Sequence, residues 1–238
     1  EAADAWRTLL EVDPEDSEAL ERLSRTYEAS GSTEKLVEVL QRRIDASSDP
    51  EERRSLRMQL ASLHREASKD RPAEIDVLRE LLTEAPSDGE ALAALSRALI
   101  ADERFIEAAE VLHDRATVAE GEERRAALLL EAARLYRGPL EDGVGALERY
   151  SEVLSVLPGH DGALTDLVAM VEDPDLSVQV AELLRAPLLE QGRHKDLATL
   201  LGARAALSHD PEEVATSLRE LAAVQYERLG DPAGALAT

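Results

Sequence analysis

An all-α solenoid of antiparallel helix hairpins is the fold this sequence predicts, and three observations lead to it. Apolar residues recur at helical spacing from end to end, helix-start signals punctuate the chain, and segments repeat at a fixed separation. In 17–30, Ala19, Leu20, Leu23 and Tyr27 fall at i, i+1, i+4 and i+8, one helical stripe. Leu36, Val37, Val39, Leu40 and Ile44 do the same in 33–44. Ala, Leu, Glu and Arg dominate, all good helix formers, and no window alternates apolar and polar residues with β-branched enrichment.

The punctuation marks where helices start and stop. DPEE occurs at 49–52 and again at 210–213. Asp49 can accept from the first free amides, Pro50 suits the first helical position, and Glu51 and Glu52 complement the positive end of the helix dipole. Asp13-Pro14, Asp173-Pro174 and Asp231-Pro232 repeat the signal. Gly31, Gly192 and Gly230 stand where a left-handed residue would end one helix before the next. Pro187 lies inside the helical run VQVAELLRAPLLEQG, which predicts a kink or break near 183–186 and an irregular joint there.

The repeats set the domain organisation. SEALERLSRTYEA (17–29) aligns with GEALAALSRALIA (89–101), and VEVLQRR (37–43) with AEVLHDR (109–115), both at a shift of 72. Pro14, Pro86 and Pro158 share that spacing. A second self-match at a shift of 161 carries Gly31 onto Gly192, Leu36 onto Leu197, Leu40 onto Leu201, Arg43 onto Arg204 and DPEE onto DPEE. That shift exceeds two periods by 17 residues, room for one extra helix near 160–171. Seventy-two residues hold four helices, so the elementary unit is a hairpin of about 36. The expected division is a second helix at about 1–14, double hairpins at 15–86 and 87–158, and a third unit at 159–238 with the extra helix. Both ends read as cut from something longer, since the chain opens at Glu1 inside a helical pattern and stops just after a helix start.

On these residues the chain resembles the tetratricopeptide repeat (TPR) family, whose unit has about 34 residues. Ala2, Trp6, Leu9 and Pro14 resemble the second-helix half of that pattern. Leu20, Leu23, Ser24, Tyr27 and Gly31 resemble the first-helix half, and Leu92, Leu95, Ser96, Leu99 and Ala108 repeat it. Ala146, Tyr150 and Pro158 match another second helix, and Gly230, Asp231, Pro232 and Ala235 the start of the last. The resemblance is to the long, degenerate arrays of large bacterial proteins of myxobacterial type. It implies a right-handed superhelix. Glu74 and Leu36 occupy slots usually held by Ala, and 160–192 fits the pattern poorly.

Composition narrows the chemistry. Fifty acidic against 27 basic residues leave a net charge of -23, which disfavours nucleic acid and anionic membranes. Only Lys35, Lys69 and Lys195 are lysine, a composition of GC-rich bacterial type. Aromatics are 3% of the chain, too few for a base-stacking platform. Cysteine is absent, which excludes disulfides, thiolate metal sites and thiol catalysis, and no apolar run reaches the 18 residues or so of a membrane span. The five histidines, His64, His113, His160, His194 and His209, form no pair at metal-ligand spacing, and Asp161 and Asp210 read as helix caps. No phosphate-binding glycine motif or nucleophile elbow occurs, so no enzyme activity, cofactor or metal is expected. Trp6, Tyr27, Tyr136 and Tyr150 read as packing between helices.

Arg25, Arg97 and Arg134 are the candidate binding residues. Each follows a small slot on a first helix (Ser24, Ser96, Ala133). The resemblance implies that this position faces the concave groove, where arginines can meet a partner's carboxylates. The alternative is pairing inside the array with Glu18, Glu21 or Glu90. The asparagine- and lysine-based carboxylate clamp known from the family is not expected, since the chain has no Asn. The expected function is a protein-interaction scaffold for a protein or peptide, with a basic partner favoured by the charge. The alternatives are a structural spacer in a large assembly or a regulatory region of a larger enzyme. A cytoplasmic location is expected, with the periplasm as the alternative.

Overall fold

The structure, a computed structural model, describes residues 2–238; these form fourteen α-helices and one π-helical turn, with no strand among them. They gather into two compact units, one ending at Arg115 and the other beginning at Ala116. The first holds α1 (Ala2–Val12), α2 (Ser17–Ser30), α3 (Thr33–Ala46), α4 (Pro50–Leu63), a π-turn (His64–Ser68), α5 (Arg71–Glu84) and α6 (Gly89–Ala101). The boundary falls within α7 (Phe105–Val118). The second holds α8 (Glu122–Arg137), α9 (Gly143–Val156), α10 (Asp161–Val168), α11 (Ser177–Glu190), α12 (His194–Leu207), α13 (Pro211–Glu227) and α14 (Pro232–Ala237). From α1 to α6, and again from α8 to α14, each helix packs on the next in sequence. Short links between packed neighbours make them antiparallel, so each unit is a run of hairpins.

The repeat is written in the core. Ala19, Leu20, Leu23 and Tyr27 of α2 are buried. So are Ala91, Leu92, Leu95 and Leu99 of α6, and Ala163, Leu164, Leu167 and Val171 in and after α10, at successive shifts of 72. Val180, Ala181, Leu184 and Leu188 of α11 are buried at a shift of 161. First-helix stripes therefore stand on two consecutive helices, α10 and α11. That doubling is where the array departs from its period, and α10 is shortened to eight residues. The irregular stretch is the turn-rich segment between them, in which Met170, Val171 and Leu176 are buried. It is not at Pro187. α11 runs through Pro187 without a break, and Pro187 lies between the buried Leu184 and Leu188 on a more open part of the helix. A carbonyl deprived of its partner there is within reach of water, which lowers the cost of the proline.

Junctions repeat as closely as cores. The amides of Asp13, Ala85 and Leu157 bond to the carbonyls of Leu9, Leu81 and Val153 at 2.9, 3.0 and 2.9 Å, and Asp16, Asp88 and His160 follow as the next N-caps. Asp16 accepts from Ala19 N at 2.7 Å, and Asp88 from Ala91 N at 2.9 Å. At the third junction the cap is His160 rather than the expected Asp161: its Nδ1 accepts from Ala163 N at 3.3 Å, and Asp161 is the first helical residue. Asp210 caps α13 as expected. Asp49 and Asp231 also cap, but Asp13 and Asp173 do not. Their carboxylates accept from Glu15 N at 3.3 Å and Asp175 N at 3.0 Å, closing short turns before the next helix begins. Gly31, Gly192 and Gly230 each have φ +65°, the left-handed geometry expected of helix stops.

Two stability changes follow. His160→Asp places a short anionic acceptor on the amides opening α10, and urea unfolding should show a gain of about 0.5–1 kcal/mol. Leu167→Ala should cost about 2–5 kcal/mol in the same measurement, because the buried stripe of α10 holds it between its neighbours.

Candidate functional site

The three arginines singled out from the sequence have different surroundings. Arg25 on α2 reaches Glu21 one turn earlier at 2.5 Å, with both side chains largely exposed. Arg134 on α8 reaches forward to Asp166 on α10 at 2.7 Å. Its guanidinium is held above its ordinary pKa, first by that hydrogen bond. Arg97 on α6 is exposed and makes no ion pair among the described residues, although its charge reaches Glu74 on α5. Arg25 and Arg97 lie in the first unit and Arg134 in the second.

Most other arginines act as struts between helices, which the one-dimensional pattern did not show. Arg54 of α4 pairs with Asp88, the α6 cap, and with Glu90 at 2.8 Å. Asp88 is held below the usual carboxylate range, first by the hydrogen bond from Arg54. Arg53 and Arg57 of α4 share Glu84 of α5 at 3.0 and 2.9 Å. Asp166 is a hub in the second unit: it takes Arg134 and the hydroxyl of the fully buried Tyr150, the latter at 3.2 Å. Burial pushes the Tyr150 phenol up to about 12, so it stays a donor throughout the physiological range. Arg193, just before α12, bonds Asp161 at 3.0 Å, Thr165 at 3.1 Å and Asp196 at 2.6 Å, tying α12 to α10. Tyr27 is also buried, with the Lys35 ammonium 5.7 Å from its ring centre, and Arg149 stands 5.6 Å from that of Tyr136.

One polar latch occurs twice, 161 residues apart. In the first unit Arg43 bonds Glu52 at 3.2 Å, Ser47 bonds the same carboxylate at 2.7 Å, and Asp49 N bonds Ser47 Oγ at 3.3 Å. In the second, Arg204 bonds Glu213 at 2.8 Å, Ser208 bonds it at 2.7 Å, and Asp210 N bonds Ser208 Oγ at 3.2 Å. Each latch fastens the end of one helix to the start of the next. Each also lines a cleft. One, of about 230 Å³, is bordered by Leu20, Arg43, Ser47 and Glu52. The other, of about 700 Å³, is bordered by Arg185, Arg204, Glu213, Arg219 and Glu220. Among the described residues no group of three or more His, Asp or Glu is placed to hold a metal ion, and no helix is long and apolar enough to cross a membrane.

No protein-family model matches the chain, and no curated protein matches it. Solved structures do. YrrB, a TPR protein with an unusual peptide-binding site, is 16% identical over 69% of this chain and 80% of its own, with a TM-score of 0.44. MamA is 14% identical over 73% and 96%, with a TM-score of 0.43. The C-terminal part of a TPR repeat-containing protein from Cytophaga hutchinsonii is 12% identical over 94% and 90%, with a TM-score of 0.45. Likeness at that level assigns no site or partner.

Arg54→Ala tests the strut to the α6 cap. Asp88 has a lowered folded pKa, so its contribution is present above the usual carboxylate value and is lost as pH falls through the lowered one. The variant should lose about 1 kcal/mol at pH 7 in urea unfolding, and less at pH 3. With its hairpins repeated in core and junction alike, the fold is an all-α array of helix hairpins.

Proposed function

We propose that this chain is a non-catalytic protein-interaction scaffold that takes a protein or peptide partner along the face of its first helices. The observation that carries this reading is Arg97. In a chain of net charge -23 it is exposed and without an ion pair among the described residues, as Arg124, Arg125, Arg219 and Arg228 are, and of these it is the one that follows a buried small residue, Ser96, on a first helix. Its counterpart Arg25, 72 residues earlier, holds only the exposed Glu21, an i,i+4 pair that a partner's carboxylate can displace at little cost. Arg134 is committed to Asp166 and contributes less. An acidic side chain or C-terminal carboxylate fits Arg97, while the surrounding negative field favours basic residues elsewhere in the partner and speeds encounter.

The test is affinity capture from a bacterial lysate with the wild-type chain and with Arg97→Ala, Arg25→Ala and Arg134→Ala singly and together. Partner recovery should fall at least about tenfold with Arg97→Ala, less with Arg25→Ala and least with Arg134→Ala. Equal recovery by the triple variant would remove the arginines from the binding surface. Capture of no partner by any form would favour the structural spacer.

A further inference from the structure

The α4–α5 hairpin gathers several weak points in one place. Its first helix ends in a π-turn, His64–Ser68, closed by Asp70 N bonding His64 O at 3.0 Å. A π-turn takes up one more residue than an α-turn and weakens the local ladder. The chain then passes through Lys69 at φ +53°, a left-handed stop that Gly31 supplies after α2 and Glu103, at φ +58°, after α6. A side chain in that conformation costs about 1 kcal/mol or more. His64 Nδ1 and Arg57 Nε are buried with no hydrogen-bond partner.

The carboxylate of Glu74 lies in the same hairpin, in the slot that Ala108 and Ala146 fill elsewhere. It is 2% exposed, and the hydrogen bond it receives from Arg71 is a long 3.4 Å. Helices α4 and α6 and the π-turn pack against α5. The charges that reach Glu74 are Arg71 on its own helix, Arg65 on the π-turn and Arg97 on α6. The α4 arginines Arg53 and Arg57 are engaged with Glu84 at the far end of α5. An ionised carboxylate so enclosed is incompletely solvated and incompletely paired.

We propose that the α4–α5 hairpin is a pH-dependent joint, held closed when Glu74 carries a proton and opening more often when Glu74 is ionised. Burial raises the Glu74 pKa above the usual glutamate value, and the three arginines offset only part of that rise. A carboxyl whose folded pKa is raised binds its proton more tightly folded than unfolded. Its stabilising contribution is thus complete below the usual glutamate pKa and is lost as pH rises through the raised value. The opening is local, since the π-turn and a buried charged side chain occur together only in this hairpin among the described residues.

Hydrogen–deuterium exchange on the whole chain between pH 5 and 8, with labelling times scaled for the intrinsic exchange rate, tests the joint. Protection of amides in 64–84 should fall several-fold with rising pH relative to α2 and α3. Glu74→Gln, which keeps the shape without the charge, and Glu74→Ala, which restores the usual small residue, should both abolish that dependence. Lys69→Gly should raise protection of the same amides equally at every pH while leaving the dependence in place. Wild-type protection in 64–84 that does not change with pH, or a dependence that survives Glu74→Gln, would overturn the proposal.

Discussion

A stripe of four buried positions, repeated on α2, α6, α10 with the turn after it, and α11, governs this molecule. A small residue, two leucines or their equivalents, and a fourth apolar residue one turn on must leave water together, and only a helix on either side can cover them. No hairpin here can bury its own faces, so each depends on its sequence neighbours. That dependence explains why helices of ordinary length stand as packed hairpins within each unit. It also explains how α10, with eight residues and a histidine cap, persists: Leu164 and Leu167 are fully buried, and Asp161 and Asp166 are held by arginines from elsewhere in its unit.

Charge is organised around that core. A net charge of -23 on stacked helices is a repulsive load, and arginine offsets it where lysine would not. The planar guanidinium bridges two carboxylates or a carboxylate and a carbonyl, as Arg54 and Arg193 do. Where such bridges coincide with an N-cap, as at Asp88, one carboxylate satisfies both helix amides and the previous hairpin. Arg97 stands outside this scheme, and Glu74 inverts it, an acid placed where the packing asks for a methyl group. The two are also electrostatic neighbours.

Much of the fold was legible because helical period, glycine stops and repeat spacing are local or translational signals. Leu20 and Leu92 could be matched without knowing what covers them. The misreadings share one cause. Asp-Pro reports a preference for starting a helix, but the start is set by where the buried stripe must begin, so Asp16 rather than Asp13 caps α2. The same slot, carried forward, makes His160 the cap in place of Asp161. At Pro187 the proline's local cost predicted a kink or a break, and no break occurs because the burial of Leu184 and Leu188 on either side holds α11 together. The site was less legible. Arg134 meets Asp166 and Arg54 meets Asp88 across 32 and 34 residues, distances fixed by hairpin stacking and invisible to spacing within one helix. The doubled first-helix stripe on α10 and α11 was signalled by the 17-residue excess, but its register emerges only from burial.

The neighbour-dependent register is tested most directly by removing the doubling. Deleting 160–176 joins Gly159 to Ser177, puts a serine in the cap slot that Asp16 and Asp88 occupy, and restores a uniform period of 72. Thermal unfolding followed by circular dichroism reports the outcome. The expected result is a helical protein with a cooperative transition, despite the loss of the Asp166 and Arg193 contacts. A chain without a cooperative transition, or with far less helix than the deletion removes, would contradict a fold built from interchangeable hairpins.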